Sequence, residues 1–116
     1  NPDAEGLFVT TPFIPDKAGP KAAGFIKAYR KKFGIDPNWF AANTYDAVGI
    51  AAAAIANAGQ DREKVREYLV SIDTKAKAYD GVAGKTYFDK NGDCLKEAFV
   101  KEIKNGKWIG AEKQLQ

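Results

Sequence analysis

The side chains best placed to do chemistry lie in the run Phe88-Asp89-Lys90-Asn91-Gly92-Asp93, where Asp89, Asn91 and Asp93 put oxygen donors at alternate positions. That is how a calcium loop of the EF-hand type begins. Such a loop also needs Gly at its sixth position and a bidentate Glu at its twelfth, and these positions hold Cys94 and Val100. The metal reading fails on those two residues. The run is expected to be a tight turn, because Asn-Gly supplies two residues that tolerate positive φ. Acid-base pairs are also scarce. Tyr45 with Asp46, or Asp89 with Asp93, could exchange protons, but neither pair sits in a motif that positions a nucleophile or a substrate. The chain has no His, which removes the commonest general base and transition-metal ligand together with any Ser-His or Cys-His nucleophile. Cys94 stands alone, so neither an intramolecular disulfide nor a cysteine metal cluster can form. No enzymatic activity, cofactor or metal is expected.

The 116 residues are 45% hydrophobic and 28% charged, an ordinary balance for a globular chain of one domain's length. The most apolar stretch, Ala41 to Ala58, is interrupted by Asn43, Asp46 and Asn57, so no membrane span is expected. The net charge of +3 comes from 18 Lys and Arg against 15 acids. Its densest cluster, Arg30-Lys31-Lys32, falls at the end of a predicted helix, where positive side chains complement the helix dipole. No aromatic platform accompanies these residues, so no nucleic-acid partner is expected. Met is absent and residue 1 is Asn, which leads us to expect that further polypeptide precedes this segment.

Several elements must position these residues. Leu7 to Thr11 reads as a short buried strand, ended by Pro12 and Pro15. Gly19-Pro20 opens a helix whose Ala22, Phe25, Ile26, Tyr29 and Phe33 share a face, and Gly34 closes it. Asp36-Pro37 opens a second, apolar almost all round, which runs to about Ala58 before Gly59 and should be buried. Asp61 caps a third with an inward stripe of Val65, Tyr68, Leu69 and Ile72. Asp73 to Gly84 reads as loop, with Gly81 and Gly84 admitting a close backbone approach, and Lys85 to Phe88 as strand. Glu97–Lys104 and Lys107–Ile109 form a hairpin on Asn105-Gly106, and Glu112 to Gln116 should fray. One strand, three helices and three short strands make an awkward independent domain, so part of the sheet is expected to come from other polypeptide.

Glu5-Gly6-Leu7-Phe8-Val9-Thr10-Thr11-Pro12-Phe13, Phe25 to Gly34, Ala42-Asn43-Thr44-Tyr45-Asp46-Ala47-Val48 and Gly81 to Asp93, taken in order, resemble the C-terminal third of periplasmic solute-binding proteins of the branched-chain amino acid type, which serve ABC importers. The resemblance covers nearly the whole chain. It implies an α/β fold, part of a two-lobed type I periplasmic-binding-protein architecture of three-layer lobes. Residues 1–14 would be a strand and a lobe crossing, with Pro12 and Phe13 stiffening it. Residues 15–87 would give helices of the first lobe, and 88–116 the last crossing, at Phe88 to Asp93, with a hairpin of the second lobe.

The function implied is capture of an amino acid or similar small carboxylate solute in an interlobe cleft for delivery to ABC permease subunits, in the periplasm or lipid-anchored outside a Gram-positive cell. The same fold as the sensing module of a receptor or kinase is the alternative. Ligand-binding positions implied by the resemblance are Ala42, with Asn43 beside it. Ala42 is small where some relatives carry a bulky aromatic, which would leave more room in the cleft. A segment holding pieces of two lobes should expose apolar surface and pair with the missing N-terminal part of the protein or with a second copy.

Overall fold

The computed structural model describes residues 2–115. After a 3-10 turn at Pro2–Ala4 come β1 (Phe8–Thr11), α1 (Pro20–Phe33), α2 (Trp39–Ala58), α3 (Arg62–Ser71), β2 (Tyr79–Gly81), β3 (Gly84–Phe88), β4 (Cys94–Leu95), β5 (Phe99–Lys104) and β6 (Lys107–Gly110). The strands form two antiparallel three-stranded sheets, in the orders β1-β5-β6 and β2-β3-β4. A compact domain of this length has a radius of gyration of about 13 Å. The observed value is 16.4 Å, with extents of 53 × 33 × 22 Å, so the chain is drawn out along one axis.

Local signals set the helix ends. Pro20 occupies the first turn of α1 after Gly19, and Gly34 closes it in the left-handed region at φ 72°. The cap of α2 is Asn38, whose side-chain oxygen accepts from the Ala41 amide at 3.0 Å. Asp36, the expected cap, pairs instead with Arg30, and that contact holds its carboxyl below the ordinary range. Asp61 caps α3 as expected, accepting from Glu63 N at 2.9 Å and Lys64 N at 3.1 Å. The stripe Val65, Tyr68 and Leu69 is half-buried, and Ile72 is buried.

Along α2 every fourth residue, Ala42, Asp46, Ile50 and Ala54, faces inward. Ala42 joins Phe13, Ala22, Ile26, Val82 and Ala83 in the core cluster, so that core is built from α1, α2, the β2–β3 turn and the stretch after β1. Two expectations of burial are corrected. Phe40, Tyr45, Val48 and Ile55 remain exposed on the other side of α2, and Leu7, just before β1, is exposed with Phe8 and Val9 of that outer strand. Apolar composition predicted burial, and the cover is partial: Tyr45 has only the Phe25 ring of α1 against it, at 4.9 Å between centroids, and stays 57% exposed.

The segment read as loop from Asp73 to Gly84 contains β2, which pairs with β3 in the register Tyr79↔Thr86 and Gly81↔Gly84. Asp89 to Asp93 is a turn, as Asn91-Gly92 suggested, and it lies within one sheet, since Phe88 pairs with Cys94 and Tyr87 with Leu95. The passage from that sheet to the other therefore falls at residues 96–98, after the Phe88 to Asp93 segment. Asn105 (φ 54°) and Gly106 (φ 71°) make the tight β5–β6 turn their sequence specified. Glu5 braces it by accepting from both amides, at 2.7 and 3.1 Å, and these bonds lower its pKa. The C-terminal stretch is anchored at Gln114 where fraying was expected: its side chain accepts from Val100 N and donates to Val100 O, both at 2.9 Å, engaging the central strand β5 just past the end of β6. Gln116 lies outside the described residues.

Candidate functional site

Two passages join the β1-β5-β6 sheet to the helices and the second sheet: the stretch between Thr11 and Pro20, and the three residues between Leu95 and Phe99. The first begins rigidly. Thr11 Oγ1 donates to Phe13 O at 3.2 Å, and Phe13 and Ile14 are buried at 5% exposure. Further along, Asp16 accepts from Gly110 N at 2.8 Å, tying this passage to the end of β6. The second passage is held at consecutive residues. Lys96 Nζ donates to Asn43 Oδ1 at 2.8 Å and stands 3.5 Å from Asp46 Oδ2, and Glu97 pairs with Lys75 at 2.6 Å. The Lys75 pair is exposed, and each partner stabilises the other's charge, lowering the pKa of Glu97 and raising that of Lys75.

Between the passages lies the start of α2. Trp39 and Phe40 stack with ring centroids 3.6 Å apart, and both are exposed. Trp39 lines a cleft of about 660 Å³ with Thr11, Phe13, Arg30, Lys101 and Trp108. Lys101 Nζ sits 4.4 Å from the Trp108 ring centre, so the cleft presents two indoles with a lysine against one of them, and Arg30 besides.

Ala42, one turn on, is fully buried in the core cluster. Asn43 is half-buried, with its side-chain oxygen on Lys96. The structure thus brings Asn43 together with Asp46 and Lys96, and sets Ala42 in the core against Phe13. Asp46 is 2% exposed, and its two oxygens accept from Val82 N at 2.7 Å and Ala83 N at 2.9 Å. That approach needs Gly81, where a Cβ would collide with the carboxylate. The pairs considered for acid-base work are committed elsewhere: Asp46 as described, and Asp89 to its own turn, accepting from Asn91 N at 2.8 Å and Asp93 N at 2.9 Å. Among the described residues no group of His, Cys, Asp or Glu is arranged to hold a metal ion.

Sequence reading missed Lys96 as the partner of Asn43 and Asp46, and missed the cleft shared by Trp39, Lys101 and Trp108. An aromatic pair immediately after an N-cap is a readable hint of a presented surface. The lysines carried no local signal.

The family model described as a periplasmic binding protein matches residues 1–107. The chain belongs to the periplasmic binding protein family. Its helices and strands match part of the type I periplasmic binding fold. This periplasmic binding protein segment is 34% identical to a leucine binding protein of Thermotoga maritima, with a TM-score of 0.80 over 93% of this chain and 30% of that one. It is 29% identical to a branched-chain amino acid transporter substrate binding protein of Streptococcus pneumoniae, solved with isoleucine, with a TM-score of 0.77 over 93% of this chain and 30% of that one. An ABC transporter substrate-binding protein of Desulfitobacterium hafniense, solved with Leu, is 27% identical, with a TM-score of 0.78 over 93% and 32%. The chain spans about a third of the length of these relatives.

Proposed function

We infer that the full-length protein is the substrate-binding component of an ABC importer, taking an amino acid or similar small carboxylate solute into a cleft between two lobes and presenting it to a membrane permease. The observation that carries this reading is the match to substrate-binding relatives over nearly the whole chain, at up to 34% identity and a TM-score of 0.80. In this reading the two passages are the lobe crossings, the protein works outside the cytoplasm, and it binds its solute without transforming it. The committed state of Asp46 and Asp89 supports the last point. The exposed apolar sides of α2 and β1 are where the remaining polypeptide of the same protein packs, which accounts for surface that a free domain would bury.

Ala42 and Asn43 belong to the solute-facing end of α2 in this reading. The small Ala42 lets the helix close on Phe13 while Trp39 and Phe40 present the surface, and Asn43 holds the second crossing through Lys96. A thermal-shift panel of L-amino acids and simple carboxylates against the full-length protein tests the function. A solute at one hundred times its Kd stabilises the folded state by about 2.7 kcal/mol, a clear rise in Tm. At least one amino acid is expected to give that rise, and a panel with no stabilising solute would sink the reading.

A further inference from the structure

Lys96 is the one lysine of the second crossing, and its surroundings differ from those of the exposed lysines in the chain's other ion pairs. Its side chain is 14% exposed, whereas Lys21, Lys75 and Lys77 in their pairs are more than half exposed. Its ammonium meets Asn43 at 2.8 Å and Asp46 at 3.5 Å, three residues apart on one face of α2. Asp46 is in turn bonded to two amides of the β2–β3 turn. One side chain thus ties the crossing to the solute-facing end of α2 and, through Asp46, to the second sheet. Burial matters here. An exposed pair contributes little to geometry, while a desolvated ammonium that leaves its acceptors strands a buried carboxylate, so the contact behaves as made or broken with little between.

We propose that Lys96 is a positioning residue for solute capture, a clamp that fixes the angle at which the second crossing leaves α2 and thereby favours the closed form of the cleft. Its hydrogen bond and its ion pair both go to α2. The inference rests on the solute-binding reading. A clamp of this kind changes the balance between open and closed forms, and a solute that binds the closed form loses affinity in proportion to that balance. Since closure sets how long the solute is retained, the loss falls mainly on the dissociation rate.

The experiment is solute binding by full-length wild type, Lys96→Met and Lys96→Arg, using the amino acid that stabilises the wild type most, with stopped-flow dissociation rates. Lys96→Met keeps the apolar stem and removes the charge. We expect it to bind about tenfold more weakly with a dissociation rate raised by a similar factor, and Lys96→Arg to recover most of the loss. Binding within twofold of wild type by Lys96→Met overturns the clamp. So does a loss that Lys96→Arg does not repair, since that would mark a packing role. Should Lys96→Met not fold, amide exchange of the wild type decides: the Val82 and Ala83 amides on Asp46 are expected to gain protection when solute is added, and unchanged protection overturns the proposal. A wild type that binds no solute fails at the earlier step, and brings down the solute-binding reading with the clamp.

Discussion

Asp46→Ala in the full-length protein is expected to lower unfolding stability by about 3–5 kcal/mol, because it breaks a buried charged network by removing one partner. Two amides, Val82 N and Ala83 N, lose their acceptor, and an unsatisfied buried donor costs about 1–3 kcal/mol. Lys96 keeps Asn43 and loses its carboxylate. Asp46→Asn is expected to recover only part of this, since an amide offers one oxygen to Val82 or Ala83 and turns an NH2 group toward the other. Urea unfolding reads both. A loss below about 1 kcal/mol for Asp46→Ala would show that water replaces the carboxylate at the β2–β3 turn, in conflict with its 2% exposure.

Phe13→Ala should be comparably severe. Phe13 is 5% exposed and joins the passage after β1 to Ala22, Ile26, Ala42, Val82 and Ala83, so truncation leaves a cavity where five residues from three parts of the chain meet. Buried Phe to Ala changes cost about 3–5 kcal/mol. Phe13→Leu keeps most of the volume and should cost distinctly less. The pair separates packing from the backbone: Thr11 Oγ1 still reaches the carbonyl of residue 13 in both variants, so equal losses for Ala and Leu would move the origin from the cavity to the backbone after β1.

Much of this architecture was readable where the cause is local. Pro20 and Gly34 bound α1, Asp61 starts α3, and Asn105-Gly106 makes the β5–β6 turn, each because one or two residues fix a dihedral or supply a cap. Asn38 took the cap expected of Asp36, a shift of two residues between two competent side chains. β2 and β4 were not legible, since strands of three and two residues carry no periodicity and exist through their pairing with β3. The exposure of β1 was hidden for the opposite reason, because an apolar run looks the same whether its cover lies in the same segment or elsewhere.

The site divides along the same line. Asn43 was singled out through the resemblance alone, its partner Lys96 is 53 positions away, and Asp46 meets Val82 across 36. Contacts at that separation leave no local spacing to detect. The Asp89 turn, with its ligand-like oxygens, was legible as a turn because its bonds all close within five residues.

The most direct test of a solute-capturing, two-lobed protein is small-angle X-ray scattering of the full-length protein with and without the amino acid that stabilises it. Closure about the two crossings predicts a smaller radius of gyration on saturation, reversed when the solute is removed. A profile unchanged at saturating solute would contradict it.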